Sequence, residues 1–382
     1  MTAGAQFATL TAVPEALVAP ERDAELKTAP VAVTAVVAAR NEVGYIERCV
    51  RSLLSQQVPE RDFEVIVADG MSDDGTRDIL ARLAEDDPRL RVIDNPRMIT
   101  ATAFNAAINA SRGRYIAIMG AHARYPDDYL ARCLELAERL KVDNVGGATT
   151  AEGTTYRQRA IAASHHSAFS VGGASWHSLD YEGPASTVFG GFYRRDVFDR
   201  IGMFDERLVR NQDDEFNFRL ELAGGSTWQS ASVRSWYTPR STIGALFRQY
   251  RQYGYWKAGV MRKHGRAPEL RHYVPAAFVL GLALPALLAV VAAFGAIWLP
   301  GLQVVSLLFA GLLAAGLALY AVFLGIASFT TARRYGWALL PVLPPIFASY
   351  HVGYGTGFLE GFFDFMLRSE ARPRASMTEL TR

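Results

Sequence analysis

Between Val274 and Met366 the only charged side chains are Arg333, Arg334, Glu360 and Asp364, whereas the chain before Val274 is densely charged. No single water-soluble core accommodates such a division easily. The runs 274–298 and 302–330 are each long enough, at roughly 20 residues per bilayer crossing, to span as helices without placing a charge in hydrocarbon. Leu299-Pro300-Gly301 between them reads as a tight turn. A third apolar stretch, 337–363, carries Pro341, Pro344, Pro345, His351, four glycines and Glu360. It reads as a kinked span, a re-entrant segment or an interfacial one. Arg333 and Arg334 follow the second span and a basic stretch from Arg248 to Arg271 precedes the first, so the positive-inside rule puts both on the cytoplasmic side of the inner (plasma) membrane. Two crossings satisfy that rule, while a third would send Arg368, Arg372 and Arg374 outside. The count therefore stays open at two or three. Residues 1–29 lack a charged segment followed by an apolar core and read as a polar arm, which leaves the large N-terminal part in the cytosol.

The 40 Lys and Arg against 38 Asp and Glu leave a formal charge of +2, too little to release many phosphate counterions, so nucleic acid is not an expected partner. Cys49 and Cys133 have neither metal-ligand spacing nor a disulfide pattern.

The charged part alternates between two periodicities. Val31 to Ala39 is a β-branched run, and after Arg40-Asn41-Glu42 the apolar positions Ile46, Val50, Leu53 and Leu54 fall at helical spacing. Phe63 to Ala68 is a second strand running into Asp69-Gly70-Met71-Ser72-Asp73-Asp74-Gly75-Thr76. Leu90 to Ile93 and Tyr115 to Met119 are further strands, with a helix from Ala101 to Ala110 between them. Strands and helices alternating in this way imply an α/β fold with a doubly wound, mostly parallel sheet, whose functional loops follow the carboxyl ends of its strands.

Those loops carry the candidate chemistry. Asp69 suits hydrogen bonds from a base or ribose, and equally a helix-capping turn. Glu42 is either a ligand contact or a first-turn acid on a helix dipole. Asp213, Asp214 and Glu215 form either an ordinary acidic helix start or a cluster whose mutual repulsion produces a general base. Arg240, Arg248, Arg251 and Lys257, with Trp236, Tyr250, Tyr253 and Trp256, read as an interfacial helix with aromatics at headgroup depth, one of whose arginines could also neutralise a leaving diphosphate.

Taken in order, Val36 to Glu42, Asp69 to Thr76, Asn105 with Gly113-Arg114-Tyr115-Ile116, Gly190-Gly191-Phe192-Tyr193-Arg194, Gly202 to Glu206 and Gln212 to Leu220 resemble the family-2 inverting glycosyltransferases of GT-A fold. Gly120-Ala121-His122-Ala123-Arg124-Tyr125-Pro126, Tyr237-Thr238-Pro239-Arg240 and Gln249 to Gly254 are similar to the membrane-associated succinoglycan-type glucosyltransferases within it. The resemblance implies a GT-A domain over 30–262, with interfacial helices from about 241, then the apolar helices over 274–363 and a tail over 364–382. It implies a nucleotide-sugar donor, a UDP-sugar, and a lipid-linked or polysaccharide acceptor in exopolysaccharide or cell-envelope glycan synthesis.

It also distributes roles. Glu42 and Asp69 would bind the base and ribose, Asp73 or Asp74 would shape the pocket floor, and Arg97 and Asn105 would contact the donor. Asp213 would be the general base, with Asp214 as fallback and Gln212 standing where the family has Glu. Gly190, Gly191, Arg248 and Arg251 would serve the acceptor or the diphosphate. At the metal motif the family's first acid is replaced by Gly120, leaving His122 as ligand for a divalent ion, Mg²⁺ or Mn²⁺, and weakening that expectation because Mg²⁺ prefers oxygen. Two other functions fit the same residues: a nucleotide-sugar-binding scaffold that lost its metal site, and a processive synthase. The synthase requires a Gln-x-x-Arg-Trp motif that 249–256 does not supply.

Overall fold

The computed structural model describes residues 31–58, 63–171, 178–266, 269–368 and 373–379; the expected arm over 1–29 and Arg372 lie outside them. β1 (Val31–Ala39) is buried along nearly its whole length because its β-branched side chains meet protein on both faces. It lies between β2 (Phe63–Asp69) and β4 (Gly113–Gly120), both parallel to it, and β3 (Leu90–Asp94) extends the sheet beyond β2. The register pairs Ala39 with Asp69, Asp69 with Asp94 and Ala38 with Gly120. Four strand ends therefore finish side by side, and the loops carrying Glu42, Asp73, Arg97 and His122 leave from one edge.

The helices α1 (Ile46–Leu54), α2 (Thr76–Asp86) and α4 (Tyr129–Leu140) cover one face of the sheet through Ile46, Leu53, Leu80 and Leu130. α3 (Thr100–Ala110), α7 (Asp196–Ile201) and α8 (Gln212–Leu222) cover the other through Phe104, Phe198 and Phe216. The mixed sheet runs β3-β2-β1-β4-β9-β6-β10-β8, with β6 (Asn144–Gly147), β8 (Gly183–Pro184), β9 (Phe189–Arg194) and β10 (Thr227–Gln229). Its parallel character is interrupted at β9, which runs antiparallel to both β4 and β6, and resumes where β10 pairs parallel with β6. A three-stranded sheet of β5 (Ala123–Arg124), β11 (Ser235–Tyr237) and β7 (Thr149–Ala151) lies beside it. Both cysteines are buried and free.

Beyond α5 (Tyr156–His165) and α6 (Ala168–Val171), the remaining helices are α9 (Ile243–His264), α10 (Val274–Gly295), α11 (Leu302–Tyr335), α12 (Leu343–Phe362) and α13 (Ala375–Thr378). Among the described residues two helical stretches, Leu270–Gly295 and Leu302–Tyr335, are long and apolar enough to cross a membrane. They form a hairpin whose outer surface exposes Leu284, Leu287, Phe294, Leu308, Leu312 and Leu319. At 1.5 Å per residue, α11 is about 50 Å long against a hydrocarbon thickness of about 30 Å. Its last turns, with Ala327, Ser328, Thr331 and Ala332, are buried against the rest of the protein.

The third apolar stretch packs inward. Gly353, Gly357 and Gly361 recur every fourth residue of α12, so they share one face, and that face lies directly on the α9 backbone. A Cβ at these positions would stand 3.0 Å from the Phe247 carbonyl oxygen, 1.9 Å from that of Arg251 and 2.3 Å from that of Tyr255. Of the expected headgroup aromatics, Tyr250 and Trp256 are buried, at most 9% exposed, and Tyr253 is half-buried, while Lys257 is 3% exposed. Trp236 belongs to β11 instead, with the Arg124 guanidinium 4.0 Å above its ring.

Candidate active site

Backbone turns bind the loops after β1 and β2 to each other. The Asn41 N–H donates to Ser72 Oγ (2.8 Å), the Glu42 N–H to Thr76 Oγ1 (2.8 Å) and the Val43 N–H to Asp74 Oδ2 (3.0 Å). Burial raises the Asp74 carboxyl, but hydrogen bonds from Thr76 and Val43 outweigh it and hold its pKa below the ordinary value. Asp74 is thus a fastener between the two loops. Asp69 is fully buried, accepts from the Ser72 N–H and Oγ (3.0 and 2.6 Å) and pairs with Arg77 (3.0 Å). Asp73 is exposed at the loop tip.

Glu42 is 6% exposed, and its Oε1 lies 3.6 Å from His122 Nδ1. The ring of His122 approaches Tyr237 edge-on. Between the two loops, the Gly120 N–H donates to Tyr125 Oη (2.8 Å). A Cβ at Gly120 would meet nothing closer than Ala123 Cβ at 3.7 Å and Tyr125 Oη at 3.8 Å, so the missing carboxylate is not excluded by space. Among the described residues no three His, Cys, Asp or Glu side chains group as a cation site. His122 and Glu42 alone offer one nitrogen and one carboxylate. The residues present therefore do not fit a divalent ion held by the protein itself.

Several expected ligand contacts have internal work. Asn105 donates to the Phe204 carbonyl (2.9 Å) and to Glu206 (3.0 Å) and accepts from the Phe204 N–H (3.0 Å), so it clamps the loop before α8. Arg97 pairs with the same Glu206. Gly190, at φ 77°, lies where a Cβ would be 2.7 Å from the Ile118 carbonyl oxygen, and Gly191, at φ 112°, would collide with the Tyr193 ring. These two glycines let β9 close on β4. Arg251, expected at the acceptor or diphosphate, makes a two-pronged ion pair with Glu360 of α12 (2.9 and 2.8 Å). Arg248, one turn earlier, is exposed and pairs with no described carboxylate.

The acidic turn is anchored from α9. Asn211, in the left-handed region at φ 61°, starts α8 and donates to the Tyr253 carbonyl (2.8 Å). Arg210 donates to Gln252 (3.0 Å), and Lys257 donates to Asp214 Oδ2. Asp214, the expected fallback base, is thereby engaged as a lysine partner. Glu215 is fully buried among Arg219, Lys263 and His264; burial raises its carboxyl, but Arg219 and Lys263 hold it below the ordinary range. Asp213 is the most exposed of the three, with Asp214 partly exposed and Glu215 buried. Loss of surrounding water raises its pKa, an effect that its own backbone N–H and the charge of Lys257 reduce. Burial pushes Lys257 down to about 7, against the opposing pull of Asp213. Sequence reading placed Lys257 at a membrane surface; its signal was a lysine on a helical face otherwise occupied by Tyr250, Gly254 and Met261.

Residues 34–202 match the model of the family described as "Glycosyl transferase family 2". The chain is 34% identical over 258 residues to the succinoglycan biosynthesis protein ExoA of Rhizobium meliloti, covering 67% of this chain and 78% of that one. A dolichyl N-acetyl-α-D-glucosaminyl phosphate 3-β-D-2,3-diacetamido-2,3-dideoxy-β-D-glucuronosyltransferase of Methanococcus voltae is 24% identical over 238 residues, with 60% and 74% covered. Among solved structures, a mannosyltransferase from Pyrobaculum calidifontis in complex with GDP-Man and Mn²⁺ superposes with a TM-score of 0.52 at 20% identity, covering 89% of this chain and 93% of that one. That likeness identifies the fold as GT-A. The chain belongs to glycosyl transferase family 2. It is a glycosyltransferase carrying two apolar helices at its C-terminal side.

Proposed function

We propose that the chain is a membrane-bound inverting transferase that moves a sugar from a UDP-sugar to a lipid-linked saccharide in exopolysaccharide or cell-envelope glycan synthesis. The observation that carries this reading is the division of labour in the acidic turn: Glu215 is buried among cations, Asp214 is held by Lys257, and Asp213 opens to solvent. Asp213 takes the proton of the acceptor hydroxyl as that oxygen attacks the anomeric carbon. The bond to the nucleoside diphosphate breaks on the opposite face, so an α-linked donor gives a β-linked product. A carboxyl with raised proton affinity suits this step, because a stronger base takes the acceptor's proton more readily. Glu42, Asp69 and Asp73 stand at adjacent strand ends on the donor side, and Arg248 is the cation left for the departing diphosphate.

The likeness to the succinoglycan biosynthesis protein ExoA supports the pathway class. A two-crossing topology with a cytoplasmic catalytic domain is supported by the tail. Arg374 binds Asp364 and Glu360, while Trp256 Nε1 donates to the Met377 carbonyl (2.9 Å), so the residues after α12 return to α9. The test is turnover of labelled nucleotide sugars by the full chain in vesicles containing polyprenyl-linked saccharide. Asp213→Asn is expected to keep donor binding and to lower turnover by about 10² or more. Undiminished turnover in that variant would refute the assignment.

A further inference from the structure

The acidic turn is fastened to α9 at several points, Lys263 and His264 holding Glu215 among them, and one of the others has chemical consequences. Arg210 to Gln252 and Asn211 to the Tyr253 carbonyl hold the backbone, while Lys257 reaches into the turn itself. Lys257 cannot swing away. Its side chain is 4% exposed, and its helix is pressed against the glycine face of α12. Gln252 also donates to the Glu379 carbonyl (2.9 Å), which adds the C-terminal segment to the same brace.

We infer that Lys257 is a positioning residue for the transfer: by engaging Asp214 it reserves Asp213 as the open carboxylate of the turn, and its charge keeps Asp213 ready to receive a proton. This rests on the reading of Asp213 as the base. Two adjacent carboxylates on a helix start repel each other, so without a cation one of them would hold a proton in the working pH range. Lys257 removes that conflict by neutralising one member of the pair. The groups facing these side chains from other elements are Tyr193 of β9 beside Asp213, and Glu269, Arg271 and His272 around Lys257. Arg219, Lys263 and His264 also reach the turn but are engaged by Glu215, so Lys257 is the cation seated on the Asp213–Asp214 pair.

The test is the pH dependence of kcat and donor KM for the full-length protein in lipid nanodiscs, comparing Lys257→Met, Lys257→Arg and Asp214→Asn with the parent. Lys257→Met is expected to move the acid limb of kcat upward by about one pH unit. At pH below the parent's acid limb its kcat should fall by about tenfold, with KM changed less than about twofold. Lys257→Arg should restore much of the loss. Asp214→Asn removes a negative neighbour and frees Lys257 for Asp213, so its acid limb should move downward. Because Asp214 is partly exposed, this variant keeps the test decisive if Lys257→Met fails to fold. Limbs that stay in place, or that move in the same direction in both variants, would overturn the role of Lys257. Full turnover by Asp213→Asn would instead overturn the base assignment, so the two failures are distinguishable.

Discussion

Replacing Gly357 by alanine adds one methyl group at the tightest point between α9 and α12. That Cβ would stand 1.9 Å from the Arg251 carbonyl oxygen and 2.7 Å from its carbon, where an ordinary contact needs about 3.3 Å or more. The helices must separate by about 1.5 Å at this point, and backbone on both sides leaves no side chain to yield instead. Overpacking of this kind costs about 1–3 kcal/mol. The Arg251–Glu360 pair, at 2.9 and 2.8 Å, would be stretched out of hydrogen-bond range; because both side chains are partly exposed, its loss adds about 1 kcal/mol. The intrinsic preference of alanine over glycine in a helix offsets about 1 kcal/mol. The net expectation is a destabilisation of about 2 kcal/mol, or a Tm lower by about 2–3 °C. Gly325 on α11 is the internal control, since a Cβ there meets nothing within 4 Å. Thermal unfolding of the two variants in one detergent, followed by tryptophan fluorescence, reads the contrast through buried Trp256. Equal melting of Gly357→Ala and Gly325→Ala would refute the claim that the glycine face is a backbone-to-backbone contact.

Two further outcomes are expected. Gly120→Asp restores a carboxylate where the structure has room for one, so half-maximal activation by Mn²⁺ should occur at a concentration lower by about tenfold; an unchanged activation curve contradicts the reading of Gly120 as a missing ligand. Lys257, at about 7 in the folded protein against 10.5 for the free side chain, leaves the unfolded chain binding more protons between those values. Stability contributed by this group therefore rises with pH across that window, and Lys257→Met should flatten the rise measured by thermal unfolding at pH 7.5 and 9.5.

The parts of this fold legible in the sequence are those whose signal is local. Val31 to Ala39 reads as a buried strand from its own side chains, and the polar loops beginning at Arg40 and Asp69 follow directly, so the strand-end row of the site was visible. The turn at Leu299-Pro300-Gly301 and the hairpin it joins were visible for the same reason. What escaped was pairing between distant residues. Arg251 looks like a free cation until Glu360, 109 positions later, lies against it. Asp214 looks like a second base until Lys257, 43 positions later, neutralises it. Asn105 looks like a donor contact until the Phe204 backbone occupies both ends of its amide. The glycines of α12 invite interpretation as kinks, although their four-residue period already places Gly353, Gly357 and Gly361 on one face. The antiparallel course of β9 follows from crossing between β4 and β6, a matter of topology that no local window contains.

The division of charge that marks the chain at Val274 thus separates an apolar hairpin from a catalytic domain, and the two are tied through α9 and α12. The central claim is that Asp213 drives a single direct displacement at the anomeric carbon. Its most direct test is the anomeric configuration of the first product formed from an α-linked nucleotide sugar, read by proton NMR before any further processing. The account predicts a β-linked product; an α-linked product would contradict it.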